Sequence, residues 1–409
     1  GYFVVNGSER VIVAMEDLAP NRIIVDVDEK GATPIYQAKI FSSTVGFRAR
    51  IELKAKADGS IHVSMPGVPT EIPFVVLMRA LGLESDKEIA EAISLDKEIQ
   101  AELEPSFEKA LGVDTVKNAI LFIGNRVAHG QVEEYRVQKA ETAIDKNFLP
   151  HIGRTNQNRR DKALFLGEMA CRTIELKLER RKPDDKDHFK NKRLRLAGPL
   201  LADLFRVAFR NLVRDIKYQL ERIGVKGPII TVSAAVRPGI ITERLQHALA
   251  TGNWGRGRVG ITQLLDRTNH ISTLSHLRRL QSPLSRSQPN FEARDLHPTH
   301  WGRLCPNETP EGSNCGLVKN LALSACISVG VNPEKIKQTL YSMGVVPVYE
   351  ANEALRLSSA KVFVDGNLIG YSNSSAELAR EFRERRRRGE TSTEVSIAYF
   401  SKIQGERDE

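Results

Sequence analysis

The segment QAKIFSSTVGFRARIELK, residues 37–54, decides the fold class of the N-terminal part of the chain. Apolar and polar residues alternate on both sides of Gly46. Alternation with a period of two is typical of half-buried β-strands, and glycine favours a turn between them. The same pattern occurs upstream, at residues 3–6, 11–14 and 23–27. We therefore predict that the chain starts with a β-rich region.

Helical spacing replaces alternation further along the chain. Ser85, followed three residues later by Glu88, forms a capping box that predicts the start of a helix. Two long helices are predicted at about 162–180 and from 201 to a stop at Gly224. Their apolar stripes, which we interpret as core packing, are Leu166, Met169, Ala170, Thr173 and Ile174 in the first and Leu201, Leu204, Phe205, Ala208, Leu212, Ile216 and Leu220 in the second.

The remaining sequence combines an irregular tract with a small module. Residues 251–316 are rich in Gly, Pro, Asn, His and Arg and lack sustained periodicity, which is typical of a functional surface. Residues 317–329 are apolar enough to predict burial. In residues 332–409, Asp365-Gly366 predicts a hairpin turn, and a helix is predicted from Ser374 to Arg388. We predict a multidomain α+β chain.

Composition indicates a globular protein with a basic surface. The chain has 409 residues, of which 41% are hydrophobic and 27% charged, and carries a formal charge of +9. No run of eighteen apolar residues occurs, so we expect no membrane segment. The cysteines, Cys171, Cys305, Cys315 and Cys326, form no CxxC pair, and we expect buried thiols and no structural zinc.

One concentration of cations extends from Arg154 to Arg195. Fourteen Lys and Arg residues face seven Asp and Glu residues there, a net charge of +7. Ion pairs on a solvated helix face would suit Lys177 and Arg180. Proximity to nucleic acid is the alternative for four that we expect in turns: Arg159, Arg160, Lys192 and Arg193.

The second concentration lies in the irregular tract and contains arginine to the exclusion of lysine. Arginine suits bidentate phosphate contacts and stacking on bases. Pairing with Asp266, Glu292, Asp295 and Glu308 is the structural alternative. The arginines, with the histidines and tryptophans interleaved among them, are Arg256, Arg258, Arg267, Arg278, Arg279, Arg286, Arg294 and Arg303, His270, His276, His297 and His300, and Trp254 and Trp301. The run Arg385–Arg388 is interpreted as a solvated helix end.

No autonomous active site is predicted. The chain lacks a GxxxxGK[ST] loop, a GxGxxG turn, HExxH and GxSxG. Asp184, Asp185, Asp187 and His188 could form a metal site, but neighbouring lysines favour charge pairing within a loop.

Several segments, in chain order, resemble the second-largest subunit of multisubunit DNA-dependent RNA polymerases of archaeal or eukaryotic type. DKDHFKNKRLRLAGPLL at 185–201 and ALATGNW at 248–254 are similar to archaeal and eukaryotic signatures. QLLDRTNHISTLSHLRR at 263–279 resembles the wall tract beside the RNA path, and DLHPTHWGRLCPNETPEGSNCGLVK at 295–319 resembles the family's most characteristic block. Residues 1–21 and 362–396 also match.

The resemblance implies a layout and a division of labour. It implies the end of an N-terminal protrusion segment at 1–20, a mixed β-rich lobe with helices at 21–197, a helical protrusion segment at 198–254, an irregular fork region at 255–325 and a small α+β external module at 326–409. No cofactor is expected on this chain, because the family's catalytic Mg²⁺ is held by the largest subunit. Implied partners are that subunit, the rest of the second-largest subunit, other polymerase subunits, template DNA and the RNA transcript.

The resemblance also implies nucleic-acid-binding residues and a cellular setting. The residues are Gln263, Asp266, His276, Arg278, Arg279, Arg294, His300, Arg303 and Glu311, to which the charge pattern adds Lys192 and Arg193. We expect the archaeal form, the N-terminal part called B″, in the cytoplasm; a eukaryotic form would be nuclear. Because Gly1 is not Met and the family's next block lies beyond Glu409, we expect a partial chain.

Two other functions are compatible with the residues. A stand-alone basic nucleic-acid-binding protein would be soluble and monodisperse, whereas a polymerase subunit would expose apolar faces between Leu317 and Val329. An independent metal nuclease would use the cluster from Asp184 to His188 and lose Mg²⁺-dependent cleavage in Asp187→Ala.

Overall fold

The computed structural model describes residues 1–29, 33–224, 235–254 and 259–399. The strands are β1 (Phe3–Val5), β2 (Ser8–Ile12), β3 (Ala14–Leu18), β4 (Ile24–Asp28), β5 (Ile35–Thr44), β6 (Phe47–Ala55), β7 (Ile61–Ser64), β8 (Ile72–Pro73), β9 (Lys192–Arg195), β10 (Thr262–Leu264), β11 (Arg279–Gln281), β12 (Val318–Asn320), β13 (Val346–Pro347), β14 (Ala360–Val364) and β15 (Asn367–Ser372). The α-helices are α1 (Phe74–Ala80), α2 (Asp86–Ile93), α3 (Lys97–Ala101), α4 (Glu104–Glu108), α5 (Val116–Val127), α6 (Glu133–Thr142), α7 (Arg159–Lys177), α8 (Ala197–Gly224), α9 (Gly239–Thr251), α10 (His270–Leu277), α11 (Phe291–Arg294), α12 (Pro333–Ser342), α13 (Glu353–Ser358) and α14 (Ser375–Arg387). The predicted α+β fold class is confirmed.

The chain divides into two compact units, each assembled from distant segments. One unit contains Gly1–Ala19 and Lys186–Ile327, and the other contains Pro20–Asp185 and Ser328–Glu409. We call the first the fork unit and the second the lobe unit. The module boundaries implied by the family resemblance stay a prediction.

The lobe unit contains a five-stranded antiparallel sheet in the order β4-β5-β6-β7-β8. The predicted hairpin at its centre is confirmed, because β5 and β6 pair from Tyr36↔Ala55 to Thr44↔Phe47 around Val45 and Gly46. Alternate residues of β6, including Ile51 and Leu53, are fully buried. Burial of one face of a sheet is what the alternation predicted.

Helices complete the core of the lobe unit. The helix predicted at 162–180 is α7, and Leu166, Met169 and Ala170 are fully buried as expected. The predicted capping at Ser85 is confirmed, since its side chain accepts a hydrogen bond from the amide of Glu88 at 3.1 Å. This amide would otherwise be one of the unsatisfied donors of the first helical turn.

The predicted C-terminal module is confirmed as a small α+β structure within the lobe unit. Its sheet has the order β13-β15-β14, and the predicted turn at Asp365-Gly366 joins β14 to β15. α12 and α14 accompany the sheet, and Leu340, Ile369 and Phe382 are buried in its core. Residues 400–409 of the predicted module lie outside the described residues.

The fork unit contains two small sheets and two longer helices. The first sheet has the order β1-β2-β10, and the second has the order β12-β11-β3-β9. The predicted second long helix is confirmed as α8. Its stripe is only partly buried: Leu204 and Ala208 are inside, but Phe205 is 46% exposed and Leu220 37% exposed. Helical periodicity identifies the apolar face but not whether a neighbour covers it.

The prediction that residues 317–329 are buried is correct only for the first four residues. Leu317 and Val318 are buried, and Val318–Asn320 forms the strand β12. Leu323 is 96% exposed and Val329 is 90% exposed. The difference arises because strand pairing with β11 ends at Asn320.

Candidate nucleic-acid interface

The strand β11 is the structural centre of the predicted interface. It lies between β12, which pairs antiparallel through Leu280↔Lys319, and β3, which pairs parallel through Leu280↔Ala14. Successive side chains along a strand point to opposite faces. Leu280 therefore faces one side of the sheet and is fully buried, while Arg279 and Gln281 face the other.

The face that Leu280 occupies contains a buried ion network, which we define as Glu16, Lys192, Lys319 and Asp187. The Nζ atom of Lys192 lies 2.5 Å from Glu16 Oε1 and 2.9 Å from Asp187 Oδ1, and the Nζ atom of Lys319 lies 2.9 Å from Glu16 Oε2. Burial opposes ionisation of Glu16, but the charges of Lys319 and Lys192 outweigh it and lower the pKa of the carboxyl. The network connects β3, β9 and β12 across the sheet.

Lys192 and Arg193 were predicted together as nucleic-acid contacts, but β9 separates them. The Lys192 side chain is only 9% exposed and is consumed by the buried ion network. These ion pairs give Lys192 a structural role, and its assignment as a nucleic-acid contact stays a prediction. Arg193 lies on the opposite face and donates to the carbonyls of Lys190 and Lys192. The sequence analysis expected both residues in turns, but both lie in the strand β9.

Gln263, Asp266 and His276 form one connected group. The buried ring of His276 accepts at Nδ1 from the Asp266 amide, at 3.1 Å, which places its proton on Nε2, 3.0 Å from Gln263 Oε1. Gln263 in turn donates to the carbonyl of Gly260. Burial, with the nearby charge of Arg279, lowers the pKa of His276. His276 is thus a neutral support that fixes the start of the Asp266 turn.

Asp266 and Arg279 meet at an open cavity of ≈ 570 Å³. Hydrogen bonds from the Thr268 amide and hydroxyl lower the pKa of Asp266, so its carboxylate stays ionised. The Nε atom of Arg279 is buried and has no hydrogen-bond partner among the described residues. The cavity thus offers donors and acceptors together. Its walls also include Asn269, His270, Ile271, Ser272, Ser275 and Glu308.

The other predicted arginines bond to backbone carbonyls. Arg278 donates to the carbonyl of Ala322, and Arg303 donates to that of Thr299 at 2.9 Å. Arg294 donates to the carbonyls of Ser313 and Cys315, both at 2.8 Å. Such bonds orient each guanidinium but leave its charge uncompensated.

Gly316 allows the Arg294 contact. Its φ of +71° is a left-handed conformation, and a Cβ atom there would lie 2.3 Å from the Arg294 carbonyl oxygen. Any larger residue would displace the Arg294 backbone. Arg294 therefore has a structural role in the turn at 312–316 in addition to any contact with a ligand.

His300 and Glu311 differ in accessibility. His300 is buried, its ring 5.4 Å from that of Phe189, and burial lowers its pKa to about 4. It is a buried and neutral residue in this unit, and its assignment as a direct contact with nucleic acid stays a prediction. Glu311 is exposed at the start of the turn that Arg294 holds.

Among the described arginines at 267–303, carboxylates neutralise only one. Arg267 pairs with Glu9 through two hydrogen bonds of 2.7 Å. Among the described residues, the remaining ones form no ion pair. We call these the fork arginines: Arg278, Arg279, Arg286, Arg294 and Arg303. Arg256 and Arg258 lie outside the described residues.

Of the fourteen cations at 154–195, Lys192 and six others form ion pairs with carboxylates. Pairs join Arg159 to Asp145 and Glu141, Arg172 to Glu168, Lys177 to Glu102, Arg180 to Asp96 and Glu98, Arg181 to Asp184, and Arg195 to Asp203. Arg159 begins α7 rather than lying in a turn. Its ion pairs with Asp145 and Glu141 explain its position without a contact to nucleic acid, which stays a prediction.

The acidic cluster at 184–188 is likewise engaged in ordinary contacts. Asp184 accepts from the Val25 amide at 2.9 Å and pairs with Arg181, and Asp187 belongs to the buried ion network. No group of three or more His, Cys, Asp or Glu side chains suited to a metal occurs in the described part of the chain. In the same residues, no helix is long and apolar enough to cross a membrane.

Glu16, Lys319 and Glu308 were missed by reasoning from the sequence. Glu16 and Lys319 stand in short strands whose polar residues look solvent-exposed in a linear pattern. Glu308, considered only as a partner for arginine, instead accepts a hydrogen bond from Ser275. A charged residue inside a strand-like segment is the one signal that could have revealed the first two.

Comparison with known proteins identifies the family. The family model for RNA polymerase Rpb2, domain 2, matches residues 13–195, that for domain 3 matches 263–327, and that for domain 4 matches 362–405. DNA-directed RNA polymerase subunit Rpo2N of Methanococcus vannielii is 50% identical over 348 residues, covering 84% of this chain and 70% of that protein. The chain belongs to the second-largest RNA polymerase subunit family. The predicted resemblance to the N-terminal part of this subunit is confirmed.

Other members of the family extend the match. Rpo2N of Methanothermobacter thermautotrophicus is 49% identical over 374 residues, covering 85% of this chain and 72% of that subunit. Subunit Rpo2 of Saccharolobus shibatae is 56% identical over 411 residues, covering 98% of this chain. The chain spans 36% of the length of that Rpo2 subunit.

Proposed function

We propose that this chain contributes to DNA-directed RNA polymerase a surface that holds downstream DNA and the RNA–DNA hybrid. Nucleotidyl transfer would occur at Mg²⁺ on the largest subunit, and this chain would act through positioning and electrostatic attraction. One observation carries the proposal: among the described residues, no carboxylate neutralises the fork arginines, although acidic residues are near them in sequence.

The chemistry of these arginines suits a phosphate backbone. A guanidinium held by backbone carbonyls keeps its charge and its orientation, so binding phosphate costs less side-chain entropy. Each neutralised phosphate also releases condensed counterions, which favours association. Exposed aromatic side chains nearby, with Trp301 90% exposed and Phe291 73% exposed, could stack on bases.

The proposal places the chain in an assembly. Its partners would be the largest subunit, the rest of the second-largest subunit, the other polymerase subunits, the template DNA and the transcript, in the cytoplasm of an archaeal cell. Exposed apolar residues such as Leu323 and Val329 support burial against other polypeptides better than a free monomer. A stand-alone nucleic-acid-binding protein is the less favoured function for this reason.

Arg279→Ala in a reconstituted polymerase tests the proposal. We expect assembly to be retained, affinity for an RNA–DNA hybrid scaffold to fall, and the slope of log K against log[salt] to decrease by about one. Arg385→Ala, which removes the same charge from the end of α14 where Arg385 pairs with Glu381, is the control and should change neither quantity. Equal effects of the two variants would contradict the proposal.

Arg294→Ala separates the scaffold role from the binding role. Because Arg294 holds the turn at 312–316, its loss should accelerate hydrogen exchange there as well as weaken hybrid retention. Arg279→Ala should leave exchange in that turn unchanged. Weakened binding without faster exchange in Arg294→Ala would show that its carbonyl contacts are dispensable.

A further inference from the structure

Within the lobe unit, one side of the hairpin β14-β15 faces the helix α7. The Nζ atom of Lys361 in β14 forms an ion pair with Glu168 Oε2. Phe363 follows two residues after Lys361 in the same strand. Its ring lies under the guanidinium of Arg172, whose Cζ atom is 5.3 Å from the ring centroid. Glu168 and Arg172 are one helical turn apart, so they share a face of α7.

These four residues, which we call the docking lock, are complementary in charge and shape. Glu168 Oε1 accepts from Arg172 Nε at 2.7 Å while its other oxygen takes Lys361, so both carboxylate oxygens are used. The side chains of Glu168 and Arg172 are 8% and 9% exposed. Burial opposes ionisation of Glu168, but Lys361 and Arg172 outweigh it and lower the pKa of Glu168 to about 2.

The turn of the hairpin makes a second close approach, to the N-terminal part of the lobe unit. A Cβ atom on Gly366, whose φ is +85°, would lie 1.6 Å from the carbonyl oxygen of Asn21. Only glycine fits this approach between two backbones. The hairpin thus contacts the rest of the lobe unit at Lys361, at Phe363 and at its turn.

The segment that connects the module to the preceding chain, residues 323–329, contains exposed apolar residues. Leu323 is 96% exposed and Val329 is 90% exposed, and the amides of Val329 and Gly330 bond to Glu394 of the module itself. These hydrogen bonds stay within the module and do not attach this segment to residues 20–185 of the lobe unit. The docking lock and the approach of Gly366 to Asn21 are contacts that do attach the module to the rest of the lobe unit.

We propose that α7 carries a docking surface for the C-terminal module, residues 328–399, which binds through the docking lock and stays bound when the backbone is cut. The surface is specific because Glu168 selects a cation and Arg172 selects an aromatic ring at a spacing of two strand residues. Without Glu168, the positive charges of Arg172 and Lys361 would be close together with little solvent, which is unfavourable. Binding of the hairpin therefore requires the carboxylate between them.

A protease recognition sequence inserted between Ile327 and Ser328 of the full chain tests this proposal. After cleavage, we expect the module to co-elute with the rest of the chain on size exclusion. Lys361→Glu should release the module at least tenfold faster, and the charge swap Glu168→Lys with Lys361→Glu should restore retention. Glu381→Lys, which alters a solvated pair on α14, is the control and should retain the module. Separation of the cleaved wild-type pieces, or equal release by Lys361→Glu and Glu381→Lys, would overturn the proposal.

A second measurement does not depend on the charge-swapped protein folding. Lys361→Met preserves the length of the side chain and removes its charge. In the uncut chain it should accelerate hydrogen exchange in β14 and around Glu168 together, and leave β4 to β8 unchanged. Faster exchange in β14 alone would mean that the contact stabilises only the hairpin and that the docking surface is absent.

Discussion

The cations at 154–195 and those at 267–303 look alike in the sequence but have different surroundings. In the first region, the paired carboxylates include ones from other segments of the chain, as when Arg159 meets Asp145 and Arg180 meets Asp96. In the second region, among the described residues, only Arg267 has a carboxylate, and backbone carbonyls hold Arg278, Arg294 and Arg303. Charge in the first region stabilises the fold, whereas charge in the second stays available to a ligand.

The difference shows why net charge is a poor guide to a binding surface. An arginine paired with a carboxylate contributes little to the field outside the protein, whereas one bound to a neutral carbonyl contributes its full charge. The stretch at 154–195 has the higher net charge, +7, yet at least half of its cations are paired with carboxylates of the fold. Binding follows from unpaired charge rather than from the count of basic residues.

The largest expected effect tests whether cations of the first region are structural. Glu16→Gln removes the carboxylate shared by Lys192 and Lys319 in the buried ion network. We expect the free energy of unfolding of the fork unit to fall by about 3–5 kcal/mol, because a buried charge loses its partner. Denaturant melts followed by hydrogen exchange in β3, β9 and β12 would measure it. Glu9→Gln, the same change at an exposed pair, is the control, and a similar loss in both variants would contradict a special role for the network.

A smaller effect concerns histidine, which the fork unit buries in its neutral form. Burial lowers the pKa of His300 to about 4, below the value of about 6.5 expected in an unfolded chain. Between these values the unfolded state binds more protons, so stability must fall as pH falls through this window. We expect a loss of about 2–3 kcal/mol from pH 7 to pH 4, measured by thermal unfolding. His300→Gln should flatten the profile, and an unchanged profile would mean that folding does not shift the pKa of His300.

A still smaller effect is expected for Arg159→Ala. Arg159 makes two hydrogen bonds to Asp145, of 2.7 and 2.8 Å, and its side chain is 15% exposed. We expect a loss of about 1–2 kcal/mol in the stability of the lobe unit, with unchanged affinity for a hybrid scaffold. The adjacent and exposed Arg160 offers the control variant Arg160→Ala, which should be close to neutral. Weaker scaffold binding by Arg159→Ala would remove the distinction between the two regions.

The smallest effect is expected at the paired arginine of the fork unit. The double variant Glu9→Gln with Arg267→Ala removes one ion pair and keeps the net charge. It should bind a hybrid scaffold within about twofold of the wild type, with the same salt slope. Arg303→Ala should instead reduce the slope by about one. If the double variant reduced the slope as well, pairing with a carboxylate would not be the deciding property.

Local features were the most predictable from the sequence. The cap at Ser85, the hairpin around Gly46, the turn at Asp365-Gly366 and the helix α7 all follow from interactions within a few residues. The candidate site was predictable only as a region. Asp266 and Arg279 do share the cavity, but His276, Arg294 and His300 have support roles that depend on distant partners.

The sequence by itself determined the family, the α+β character and the location of the arginine-rich tract, because motifs and periodicity are written in neighbouring residues. Only the tertiary structure decided which adjacent residue is buried, as with Lys192 inside and Arg193 on the other face of β9. It also decided that Leu323 is exposed although Leu317 is not. The physical reason is that a strand or helix fixes the direction of its side chains, while the covering or pairing of each face depends on segments distant in the sequence.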